Sequence, residues 1–163
     1  MQMKPVQGFA FALLAFAIST SVPHSAVVHA GVPGSTSATN TDAGGLALRG
    51  YDPVAYFSAG TPTPGISTIS AVYDGAKYLF ATEADKKLFM DNPRKYLPEF
   101  GGFCAVGTAY GQKVDTDPET GVVVNGKLYL NNNAKAFALF KNDTSGTIDR
   151  AEKNWPKVKD QAL

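Results

Sequence analysis

Cys104 is the only cysteine in the 163-residue chain. A thiol can serve as nucleophile, redox centre or soft metal ligand, so it is the side chain with the widest chemistry here. The residues that usually assist a thiol are scarce: histidine occurs only at His24 and His29, and methionine only at Met1, Met3 and Met90. All of these except Met90 fall in the first thirty residues. There Lys4 precedes an apolar run from Phe9 to Ile18 and the small-residue pattern Val28-His29-Ala30, which reads as a secretory signal peptide, residues 1–30, cut after Ala30. The run is shorter than the roughly 20 residues of a membrane span. No cysteine stands at the cut site to take a lipid, and no paired arginines precede the run, so the general secretory route and a periplasmic or secreted protein are expected.

Once that segment is removed, Cys104 and Met90 are the only soft donors and no histidine remains. Ser-His-Asp and Cys-His catalysis are then excluded, although a lysine-activated nucleophile is not. A zinc site of four Cys or His ligands cannot be assembled. Copper(I) asks for less, and a thiolate with a thioether suits it, so Cys104 and Met90 are the candidate metal ligands. Met90 beside Phe89 is more often core filling than a ligand. In an oxidising compartment a lone cysteine is buried and inert, reactive, metal-bound, or paired between two chains as a dimer through Cys104. Gly101-Gly102 permits a sharp turn just before it. If a helix starts there, its free amides would lower the thiol pKa and make the thiolate the working species. Alternatively, the two glycines allow close packing against Tyr78 or Tyr96.

Other constellations fail. Asp115, Asp117 and Glu119 begin like a calcium loop, but Thr120 takes the place of the required glycine and Gly126 that of the closing glutamate. Gly102, Gly107 and Gly111 fit neither phosphate-cradling nor dinucleotide spacing. Asn142-Asp143-Thr144 matches a glycosylation acceptor, which has no meaning in a bacterial periplasm. Loss of Lys4 leaves basic and acidic residues equal in number. That balance offers no concentrated basic face for nucleic acid or an anionic membrane.

The elements that must position Cys104 form one domain, because the remaining chain is long enough for a single core. Residues 31–45 are Gly, Ser, Thr, Ala and Asn with almost no large apolar side chain, and read as a flexible leader. Order is expected from Leu46, giving a domain over 46–163. Asp52-Pro53 supplies a cap and first-turn proline for a short helix through Val54-Ala55-Tyr56-Phe57. Ile66 to Tyr73 and Lys77 to Phe80 are strand-like around the hairpin signal Asp74-Gly75. Thr82 caps the next helix, which runs through Leu88-Phe89-Met90 to Asn92, and a short helix follows from Pro93 to Leu97. The chain then repeats itself: Asp74 to Phe80 followed by a helix has a counterpart, with a one-residue gap, in Asn125 to Leu130 followed by a helix to Phe140. The expected fold is therefore α+β, a small single domain of two strand–strand–helix units with short flanking helices. A last helix, Thr147 to Trp155, sets Ile148, Ala151 and Trp155 on one face and packs Trp155 against the sheet.

These residues also carry a likeness. Asp52-Pro53-Val54, Tyr73-Asp74-Gly75 with Tyr78 and Phe80, Phe89, Asn92-Pro93 and Lys95-Tyr96 resemble a YHS domain, the small module found with copper-transport ATPases and some monooxygenases. The longer pattern of Gly50 to Phe57, Gly101-Gly102-Phe103-Cys104-Ala105, Gly126 to Asn131 and Asn154-Trp155-Pro156 resembles the exported YHS-domain proteins of bacteria, over nearly all of the mature chain. The resemblance implies metal binding in cysteine-bearing members, and selenocysteine at the Cys104 position in some relatives. It thus implies redox or soft-metal chemistry at Cys104. The chain departs from the metal-handling pattern, holding Ala55 and Ala81 where those modules have cysteines. Three functions follow in order: a soft-metal (copper-type) carrier, scavenger or sensor centred on Cys104; a thiol enzyme reducing peroxides or disulfides with an external resolving thiol, Cys104 then being catalytic; or a metal-free structural or interaction module.

Overall fold

A computed structural model describes residues 32–163; the segment read as a signal peptide lies outside the described residues. The fold is α+β, as expected. Helices α1 (Ala55–Ser58), α2 (Glu83–Asp91), α3 (Pro93–Tyr96), α4 (Ala105–Ala109), α5 (Ala134–Asn142) and α6 (Thr144–Val158) alternate with strands β1 (Ile66–Tyr73), β2 (Ala76–Phe80), β3 (Asp117–Val124) and β4 (Lys127–Asn131). β1 pairs with β2 and β3 with β4, each antiparallel and each with one register irregularity near the outer end of its longer strand. Both hairpins turn through two residues of positive φ, Asp74-Gly75 and Asn125-Gly126. That is the geometry Asx-Gly turns favour because it matches strand twist.

The duplication extends well beyond the hairpins. The 3-10 turns Leu48–Gly50 and Glu99–Gly102 precede α1 and α4. Three successive residues take positive φ in each turn: Leu48, Arg49 and Gly50 at 52, 50 and 81°, and Phe100, Gly101 and Gly102 at 53, 59 and 82°. The long strands have eight residues in both copies, the short strands five, and α2 and α5 nine. Thr82 and Asn133 cap α2 and α5 by accepting the amides of Asp85 and Ala136. Phe89 and Phe140, on the inner faces of those helices, are both fully buried. Ladder register aligns the hairpins without the expected gap, setting Tyr78 with Tyr129, Leu79 with Leu130 and Phe80 with Asn131. Comparing lysine with lysine suggested the gap; strand pairing, which fixes the side-chain face, removes it.

Each copy has its own aromatic core. Phe89 lies against Tyr73, Tyr78 and Phe80 in the first. Tyr129 lies between Phe100 and Phe140 in the second, and Trp155 of α6 packs on Phe100 and Phe103, which carry it onto the sheet. The two halves are joined by Tyr56 of α1, which reaches β3 and donates its hydroxyl to the Pro118 carbonyl.

Residues 32–45 differ from the flexible leader expected there. Asn40 donates its main-chain N–H to the Gly101 carbonyl and its Nδ2 to the Gly102 carbonyl and Asp115 Oδ1. The buried Lys113 ammonium gathers the carbonyls of Ser37 and Gln161 at 2.6 and 2.8 Å, with those of Ser35 and Lys159 at 3.5 and 3.3 Å. The strap is ordered by polar bonds to the domain, not by the apolar burial that its composition lacks.

Candidate functional site

Cys104 stands immediately before α4 and is 2% exposed. Its own N–H donates to the Val114 carbonyl, and its carbonyl accepts from the amide and hydroxyl of Thr108. A parallel bridge to Leu130 ties it beside β4. The sulfur thus sits between the first turn of α4 and the end of β4. It accepts main-chain N–H groups from both, Gly107 at 3.3 Å and Asn132 at 3.3 Å. Its S–H faces Oδ1 of Asn131 at 4.0 Å. Asn132 is held in turn by its Nδ2 bond to the Asp115 carbonyl, and Asp115 by its ion pair with Arg49 at 2.5 Å.

The glycine turn and helix start expected at Cys104 are present, but the expected lowering of its pKa is not. Burial raises the thiol pKa, and the N–H groups of Gly107, Asn132 and Val106 pull it down without overcoming burial. Gly101 and Gly102 serve the strap and not Tyr78 or Tyr96. A Cβ on Gly101 would collide with the Ala38 carbonyl.

The duplication gives this hole a counterpart. Asp52, 52 residues upstream of Cys104, stands just ahead of α1 as Cys104 stands ahead of α4, and is 0% exposed. Its carboxylate accepts the amides of Val54 at 2.7 Å and Ala81 at 2.8 Å. Ala81 follows Phe80 as Asn132 follows Asn131, so both side chains receive the amide just past the end of the short strand. The cradle is thus an amide of the following turn, two residues on in the first copy and three in the second, together with the amide just past the short strand; it holds a carboxylate in one copy and the only thiol in the other. Asp52 was read from sequence as a helix cap alone. The constant spacing of Gly50 to Gly102 and of Asp52 to Cys104 was the signal that would have paired it with the cysteine.

Met90 is not part of this site. It is 51% exposed on α2, whose neighbours are β1, β2 and α3, whereas Cys104 belongs to the second copy's core. Among the described residues, no group of three or more Cys, His, Asp or Glu side chains is placed to hold a metal ion. The residues present do not fit the two-donor copper(I) centre expected from Cys104 and Met90. The groups aimed at the sulfur are N–H donors whose positive ends favour an anion, and the expected thioether lies elsewhere. Comparison with family models, with curated proteins and with solved structures finds no match.

Proposed function

We propose that this chain is a small exported YHS-like thiol protein in which Cys104, as a thiolate, is oxidised by a small hydroperoxide and restored by an external thiol. One observation carries the reading: the cradle that receives the Asp52 carboxylate in the first copy receives the Cys104 sulfur in the second. Two convergent N–H groups stabilise negative charge on sulfur, and then on a sulfenate oxygen. Gly107 and Asn132, whose amides meet the sulfur, are themselves only half-buried. In the step itself the thiolate attacks one peroxide oxygen, an S–O bond forms and the O–O bond breaks. The attacked oxygen keeps its hydrogen and becomes the S–OH of a sulfenic acid; the departing hydroxide or alkoxide takes that proton and leaves as water or alcohol, giving the sulfenate; sulfur is oxidised by two electrons and the peroxide reduced. With a single cysteine in the chain, an external thiol must attack the sulfenic sulfur, releasing water and leaving a mixed disulfide that a second thiol cleaves. The same cycle serves a peroxide sensor or a slow reductase.

The test follows hydrogen peroxide loss with an added small thiol. The wild-type protein is expected to consume peroxide above the rate of a Cys104→Ser variant, and a Met90→Leu variant to match wild type. Equal rates for wild type and Cys104→Ser would overturn the reading. Tight copper(I) binding abolished by Cys104→Ser would replace it with the metal-carrier function.

A further inference from the structure

Asn131 occupies the position that Phe80 holds in the first copy, the last residue of the short strand, and both are 0% exposed. An apolar ring therefore satisfies the fold at this place. The carboxamide brings a cost: its Nδ2 is buried without a hydrogen-bond partner among the described residues, and an orphan buried donor is destabilising. Its Oδ1 lies 4.0 Å from the Cys104 sulfur. The main chain of Asn131 is fixed independently, its N–H donating to Thr120 Oγ1 at 2.9 Å and its carbonyl accepting from that hydroxyl at 2.6 Å. The side chain can thus turn while the strand stays in place. The two ends of a carboxamide are nearly equal in size, so a half-turn exchanges them without displacing their neighbours.

We infer that Asn131 is a positioning residue that turns its carboxamide with the state of Cys104. Oδ1 faces the S–H of the thiol, and after the turn Nδ2 donates to the thiolate and then to the sulfenate oxygen. The orphan donor is the half of the amide that the resting thiol does not use. With Gly107 and Asn132 it makes three N–H groups converging on the sulfur in its charged form. The inference rests on the proposed reading of Cys104 as a working thiol. Titratable and charged groups on the surrounding elements are Lys127 and Tyr129 of β4, Glu99 of the preceding turn, Lys113 and Asp115 of the following loop, Asp149, Arg150, Glu152, Lys153 and Lys157 of α6, and the exposed lysines of α5. None of them acts on the sulfur, whose balance is set by burial against N–H groups.

The experiment titrates the ultraviolet thiolate absorbance of the folded protein and measures iodoacetamide alkylation, for wild type and Asn131→Leu. Asn131→Leu is expected to move the ionisation to higher pH and slow alkylation at neutral pH about tenfold, the rate equivalent of one pKa unit. Its melting temperature should be no lower than that of wild type, because the orphan donor is gone. A purely structural asparagine would give the reverse, lower stability and unchanged ionisation. A second readout needs no variant: in wild type, the side-chain amide resonances of Asn131 should shift with the same midpoint as the sulfur. An unmoved midpoint in Asn131→Leu, or amide resonances that ignore the titration, would overturn the inference while leaving the Cys104 reading standing. A wild-type sulfur that neither ionises nor alkylates in the folded protein would remove both.

Discussion

A buried sulfur that receives two main-chain amides differs from one packed among methyl groups, because removing it strands its donors. The Asp52 counterpart makes this testable with single substitutions. Cys104→Val fills a similar volume but leaves the amides of Gly107 and Asn132 without an acceptor, and is expected to cost about 2–4 kcal/mol. Cys104→Asp offers them the carboxylate that the first copy already accommodates, and should cost less than Cys104→Val. Urea unfolding of the two variants decides it; Cys104→Val as the more stable of the pair would mean that the cradle has no preference for an acceptor. The pH dependence has a definite sign. Burial raises the Cys104 pKa, so the folded chain keeps that proton to higher pH than the unfolded chain does. The associated stability is complete below the unfolded thiol's range and is lost as pH rises through the raised value. Cys104→Ser should flatten this alkaline decline in the urea midpoint, and an unchanged slope would contradict the assignment. Cys104 as the candidate atom was legible in sequence because it is the only thiol in the chain. Asn131 and Asp52 were not, since an asparagine ending a strand and an aspartate before a proline both have commonplace local roles.

Local chemistry fixed most elements in advance. Both Asx-Gly turns, the Thr82 cap and the bounds of β1 stand where short-range rules put them, β2 begins one residue earlier than expected at Ala76, and β3 over Asp117–Val124 was not legible as a strand by itself. The last helix begins earlier than expected, at Thr144, because Asp143 caps it by accepting the amide of Gly146, and it continues through Pro156 to Val158. The N-terminal strap was misjudged because its composition promises no apolar burial, whereas its order comes from Asn40 and from the Lys113 ammonium seated among carbonyls. Truncating the chain before Leu46 should therefore lower the melting temperature by several degrees, given a few degrees per kcal/mol in a domain of this size. Asn40→Ala alone should remove about 2 kcal/mol by ending its bonds to Gly102 and Asp115. Unchanged melting in the truncated protein would mean that the strap is not held in solution.

The whole molecule is two copies of one unit that have diverged in what they place at equivalent points. Only the hairpins and the helices after them could be read from sequence as repeated, because turns, caps and buried rings constrain residue type while the rest of the unit tolerates replacement. The halves meet where α1 packs on β3, and there is no space at Gly121: a Cβ would run into the Tyr56 ring. Gly121→Ala is expected to destabilise the protein by about 1–3 kcal/mol through forced repacking, seen as a lower urea midpoint; wild-type stability would show that the halves are loosely joined. Divergence has left one copy with a carboxylate and a phenylalanine, and the other with a thiol and an asparagine. The account stands or falls on whether that thiol reacts inside the intact fold. The direct measurement treats native protein with hydrogen peroxide and dimedone and locates the adduct by mass spectrometry. A single sulfenate adduct on Cys104, formed faster as pH rises and absent from Cys104→Ser, is the predicted result. A Cys104 that remains an unmodified thiol until denaturant is added would contradict it.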